Sequence, residues 1–248
     1  TGPRTMTEQP ASTPQRRAPA SDTPKWGWLL AVWMSLVVIL RGLVWTTGVP
    51  DHDLAEAVEQ GAARVEQKSV GEDSPDVIRK AIQLQRDSLR FWTVLHAVGD
   101  FVLAPAWLAV RATLVAVSFS GVAAVSGRPV GFPAAMRDCV AWQGVWVLQL
   151  LVRVMLMLVL QRSDIDTSIV LLLPSRTYVA WEWVLLQQID CFAMLGWLGL
   201  AWGACQRRQA NLLVALLTCL LVAVLEMQVV GGLSLLVNLG MRLTIFPE

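Results

Sequence analysis

CVAWQGVWVLQLLVRVMLMLVL, residues 139–160, is an apolar run with a single charge, Arg153, deep inside it. As a helix rising about 1.5 Å per residue it reaches about 33 Å, enough to cross a hydrocarbon core of about 30 Å. Four further runs share this character, 26–46, 101–125, 184–205 and 212–230, and each also holds one ionisable residue: Arg41, Arg111, Asp190 and Glu226 in turn. A composition of 55% apolar and 16% charged residues lies outside the usual soluble range. The pattern predicts an all-α, polytopic membrane protein, a five-transmembrane-helix bundle whose first partner is the lipid bilayer. A formal net charge of +1 excludes a basic nucleic-acid platform.

Outside the runs the chain divides simply. Residues 1–25, rich in Thr, Pro, Ser and Ala, read as a disordered cytoplasmic tail in which Met6 can be a natural start. The first transmembrane helix, 26–46, is too long for a signal-peptide core and has no small-residue cleavage site after it, so it reads as retained. Residues 47–100 read as an external amphipathic helical hairpin, and 101–248 as a four-helix membrane core with a C-terminal extension. In the hairpin, Leu54, Val58, Ala62 and Val65 form one stripe and Ile78, Ile82 and Leu89 another, with Gly71 breaking the two helices apart and Ser74 capping the second. Basic residues before the first helix, at Arg128 and Arg137, and at Arg207 and Arg208 all fall on one side of a five-span chain. The positive-inside rule makes that side cytoplasmic, with the N-terminus inside. Trp26, Trp28, Trp45, Trp181 and Trp183 then fall at the membrane edges, as aromatic belts require.

Chemistry-bearing motifs are missing. There is no phosphate-binding glycine loop, no H-E-x-x-H pair and no Ser-His or Cys-His arrangement, so no enzyme activity and no cofactor is expected. Cys139, Cys191, Cys205 and Cys219 lie in or at the ends of the runs without paired spacing and read as packing residues. His52 and His96 lack a second ligand at helical spacing. Gly199-Leu200-Ala201-Trp202-Gly203, extended by Gly196, forms a small-residue face of the kind that lets helices approach closely.

The five intramembrane charges share a depth. Counted from the inner edge, Arg41, Arg153 and Glu226 lie about 21 to 22 Å along their helices; counted from the outer edge, Arg111 and Asp190 lie about 15 and 9 Å in. All fall in the outer half of the bilayer, where an unpaired charge costs about 2.5 to 3.5 kcal/mol or more. They are expected to face inward and pair, with Arg111 and Asp190 as partners. Two readings stay open: an ion-pair network that fixes helix register, and a hydrated, outward-open cavity for a polar or anionic group. Pro105 and Gly99 can break the second helix near its outer end, and no discontinuous pair of half-helices is visible in the sequence.

The order of these parts resembles the Yip family of polytopic membrane proteins (Ypt/Rab-interacting), its bacterial branch in particular, over about residues 26 to 240. The resemblance rests on SGRPVGFPAAMRDCVAWQGVWVLQLLV, residues 126–152, where Gly127, Gly131 and Phe132 fill the places of the family's glycine-containing turn. It also rests on QQIDCFAMLGWLGLAWGACQRRQANLLVALL, ending at Leu217, an acidic residue leading a Gly-rich helix and a basic turn. Where eukaryotic members carry D-L-Y-G-P this chain has DFVLAP from Asp100 to Pro105, longer by one residue and without Tyr or Gly. The resemblance implies a non-enzymatic scaffold or accessory subunit in a bacterial inner membrane, companion to an export or trafficking complex such as an ABC exporter. The alternative is a transporter or lipid-binding protein built around the polar layer.

Overall fold

The computed structural model describes residues 25–69, 75–128, 131–160, 167–172 and 180–241. The expected tail, the Gly71 break and the Ser74 cap lie outside the described residues, as do the side chains of Val65, Trp181 and Trp183. Among the described residues the chain is helical, and its nearest approach to a strand is an isolated antiparallel bridge between Ser168 and Asp190. The helices are α1 (Lys25–Thr46), α2 (Val49–Ser69), α3 (Pro75–Asp87), α4 (Leu89–Val98), α5 (Ala104–Val125), α6 (Phe132–Trp142), α7 (Gly144–Leu160), α8 (Ala180–Gln187), α9 (Cys191–Gln206) and α10 (Leu212–Met241).

Four helical stretches are long and apolar enough to cross a membrane: Lys25–Thr46, Pro75–Val125, Phe132–Leu160 and Leu212–Val237. The integral membrane class follows from them, because a helix is the one open segment that satisfies its own backbone hydrogen bonds in lipid. The remaining expected span, the fourth along the chain, is different. The run 184–205 is not one helix: α8 ends at Gln187, and α9, of 16 residues, starts at Cys191. At about 24 Å, α9 falls short of the hydrocarbon thickness. Asp190 is the cause, since its extended backbone (φ −121°, ψ 146°) and its side chain cap α9.

Pro75–Val125 is a continuous rod of 51 residues, so the second helix of the expected hairpin runs into the second span without a loop. Within it, Gly99–Leu103 is a π turn, closed by the N–H of Ala104 on the carbonyl of Gly99. Pro105 follows directly and brings no N–H, which frees a carbonyl one turn earlier; widening the turn accommodates it. α2 folds back along α3, burying Leu54, Val58 and Ala62, and Arg86 of α3 grips Glu59 of α2 through two hydrogen bonds of 2.9 Å. That grip holds the Glu59 carboxyl below its ordinary range. α10 continues past the expected end at Val230 and brings Gly240 against the indole of Trp92.

The main core is built from small residues. Ala112, Val115, Ala116 and Phe119 of α5 meet Ala135, Met136, Cys139 and Val140 of α6, Leu200, Ala201 and Ala204 of α9, and Ala215, Cys219 and Val222 of α10. Short side chains let these axes come close, which in lipid replaces the hydrophobic driving force with van der Waals contact. A second cluster joins Val37, Leu40 and Val44 of α1 to Leu108, Val147 and Val154. On the outward faces large apolar residues stand exposed, among them Leu213, Leu217 and Leu221 of α10, as a lipid-facing surface requires.

Candidate functional site

A cavity of about 630 Å³ opens between α5, α7, α9 and α10 at the break between α8 and α9. Four of the five intramembrane charges line it: Arg111, Arg153, Asp190 and Glu226. They share a level because of helix register, since the start of α9 and Glu226 each lie about 21 to 23 Å from the turn that joins α9 to α10.

Arg111 is buried and pairs with Glu226, not with Asp190. Its Nε lies 2.8 Å from Glu226 Oε2 and 3.1 Å from Oε1, and its Nη2 also donates to Oε1. Trp107 Nε1 donates to the same carboxylate at 2.7 Å, Arg111 Nη1 donates to Gln143 Oε1 at 3.3 Å, and the guanidinium sits 4.2 Å from the centre of the Trp146 ring. Both ions are thereby hydrogen-bonded on several sides, the condition under which a buried pair is tolerated. Gln143 is fully buried at the junction of α6 and α7, where its amide also donates to the carbonyl of Cys139 at 3.4 Å.

The expected Arg111–Asp190 pair fails because Asp190 is committed to the cap of α9 and to Thr167. Its Oδ1 accepts from the N–H of Phe192 at 2.7 Å, and its Oδ2 accepts from Thr167 Oγ1. The chain at 167–169 lies alongside, the N–H of Ile169 donating to the carbonyl of Ile189 at 2.9 Å. Non-helical backbone is thus held by protein contacts beside a cavity, the setting in which membranes admit it. The negative charge of Asp190 also stands at the positive end of the α9 dipole. A discontinuous helix is present where the sequence displayed none.

Arg153 is exposed into the cavity, and among the described residues no carboxylate pairs with it. Arg41 does not line the cavity. It lies 3.2 Å from Asp100 Oδ1, while Asp100 Oδ2 accepts from Trp45 Nε1 at 2.9 Å and lies 3.4 Å from His96 Nε2. Asp100 sits in the π turn and is buried. The sequence reading missed it because it stood at the boundary between hairpin and core; the signal was an acidic residue four after His96, just before an apolar run. The glycine face of α9 receives rings in place of a helix backbone: a methyl on Gly196 would come within 2.5 Å of the Trp146 ring, and one on Gly199 closer still to Trp142. Gly203 faces Trp142 Nε1 and Arg207. On the far side Arg207 pairs with Asp138 and donates to Gln209 Oε1 at 3.2 Å, tying the two basic turns together.

No family model, no curated protein and no solved structure matches this chain.

The geometry supplies a pocket with three indole walls, Trp107, Trp146 and Trp197, and a polar floor of Gln149, Gln187 and Gln188 beside the charges. Such a lining suits reversible holding of a molecule with an apolar body and a polar end.

Proposed function

We propose that this is a non-enzymatic integral membrane protein that takes the polar end of an amphiphile into a cavity in the outer half of the bilayer, as a lipid-binding protein or the binding part of a transporter. The observation that carries this reading is the broken helix. A continuous α8–α9 helix would satisfy its own backbone at no cost; the chain instead stops it beside a 630 Å³ cavity and supplies Asp190, Thr167 and Ile169 to hold the open ends. In this reading α8 and α9 together make the fourth of five crossings of a bacterial inner membrane, α2 and the start of the α3 rod lie outside, and the N-terminus lies on the inner side, the side that the basic turns favour.

A docking role for the α2–α3 hairpin, toward an exporter or another membrane-protein partner, is a second reading. It is favoured by Val77 and Leu84, which stand 52% and 71% exposed on α3. The cavity reading is tested by filling the space. Ala193→Phe on α9 and Ala223→Phe on α10, both at the cavity wall, are expected to strip co-purifying lipid from the detergent-extracted protein while its melting temperature holds. Lipid is counted per chain by mass spectrometry, and unchanged lipid content in both variants sinks the proposal.

A further inference from the structure

One of the four charges that line the cavity has no ionic partner among the described residues. Of the four charges that line it, three are answered within the protein. Arg111 and Glu226 neutralise one another through direct hydrogen bonds, and Asp190 is answered by the Phe192 N–H, the Thr167 hydroxyl and the positive end of α9. Arg153 is the fourth. It stands exposed on α7, and no carboxylate among the described residues lies within ion-pair distance of it. Arg41, one helix away, is close enough for the two positive charges to act on one another, and its own carboxylate, Asp100, is shared with His96 and Trp45. Arg41 Nε is buried with no partner, so that guanidinium too is short of acceptors. The charges that line the cavity balance in number, two arginines to two carboxylates, but Arg153 alone keeps a planar fork of N–H donors that no acceptor among the described residues uses.

We propose that the cavity selects an acidic group, a phosphate ester, which Arg153 holds by charge-assisted hydrogen bonds while Trp107, Trp146 and Trp197 cover the apolar part of the ligand. The proposal rests on the cavity reading above and adds to it the sign and chemistry of the bound group. The glutamines on the same wall, Gln149 on α7 and Gln187 and Gln188 at the helix break, supply amide donors for the ester oxygens. A guanidinium matches phosphate in a planar, two-point geometry that an ammonium lacks, so lysine should replace Arg153 only in part. The phosphate can belong to a membrane lipid or to a small soluble ester, and the two are separable.

The test uses the full chain in a nonionic detergent and follows tryptophan fluorescence, since three indoles line the cavity. Phosphatidylglycerol, diacylglycerol, which lacks the phosphate, and glycerol phosphate are titrated against the wild type, Arg153→Gln and Arg153→Lys. The wild type is expected to bind phosphatidylglycerol about tenfold more tightly than diacylglycerol, the worth of a hydrogen bond to a charged group. Arg153→Gln should erase that preference and Arg153→Lys should recover part of it. Displacement of phosphatidylglycerol by glycerol phosphate assigns the site to the free ester; failure to displace assigns it to the lipid. Equal binding of the two lipids by the wild type, or a preference that survives in Arg153→Gln, overturns the proposal while leaving the cavity reading in place. Binding of neither lipid overturns both.

Discussion

Glu226 is held by two donors of Arg111 and by Trp107, and none of the three has another carboxylate within reach among the described residues. Replacing Glu226 with Leu strands a buried guanidinium, and replacing Arg111 with Leu strands a half-buried carboxylate. Either single change is expected to cost about 3 to 5 kcal/mol, because the loss is that of an uncompensated charge more than that of a contact. The double change Arg111→Leu with Glu226→Leu should recover much of it, read by thermal unfolding in detergent. Arg111→Leu combined with Asp190→Leu should instead be additive, since Asp190 bonds to Phe192 and Thr167 and shares no partner with Arg111. A double mutant with Glu226 as unstable as the sum of the singles would refute the pairing. The sequence made it plain that five charges lay in apolar runs, because an arginine or a carboxylate in such a run is conspicuous. It did not reveal who meets whom, since partner choice depends on which helices adjoin and on how each is rotated. Asp100 shows the same limit: its role is visible only once the π turn aims it at Arg41.

The α9 helix illustrates what an element adds. Its glycines read as a face for close helix approach; in the structure the indoles of Trp142 and Trp146 fill the space where a second backbone was expected. Gly199→Leu would drive a branched side chain into the Trp142 ring, and overpacking of this sort is expected to cost about 1 to 3 kcal/mol. Trp142→Leu in the same chain should restore part of the loss, because it reopens the space that the new side chain needs. Circular dichroism melts of the two variants check this; equal melting of Gly199→Leu and wild type would show that the ring is not seated there. The break at 188–190 was harder to read. Gln187, Gln188 and Ile189 can all continue a helix, and an aspartate before an apolar run signals a cap only when something outside the helix occupies the freed groups. Here that something is the segment 167–169, which is distant in sequence.

For the whole molecule, long apolar helices were legible from length and hydropathy, and four of them stand in the structure. The number of crossings was less so, because one run is divided and its halves serve a cavity. Five crossings place Glu66 on α2 and Gln206 at the end of α9 on opposite sides, whereas four crossings with α9 re-entrant place the C-terminus with the N-terminus. Both residues are exposed. In a background cleared of the four native cysteines, a cysteine at position 66 is expected to react with an impermeant maleimide on intact spheroplasts, and one at 206 only after permeabilisation. Reversed labelling inverts the topology. The π turn at Gly99–Leu103 sets a further condition on the assembled molecule. It carries one surplus residue relative to the α-helix on either side, so it advances the angular phase of the rod by about 100°, the turn made by each helical residue. Upstream of it Trp92 meets Gly240 and His96 turns toward Asp100; downstream Arg111 turns toward Glu226. One notch of this vernier keys the two halves of the rod to different neighbours, and removing a single residue at Val102 would swing the upper half a quarter turn out of step and take from Pro105 the widened turn that accommodates it.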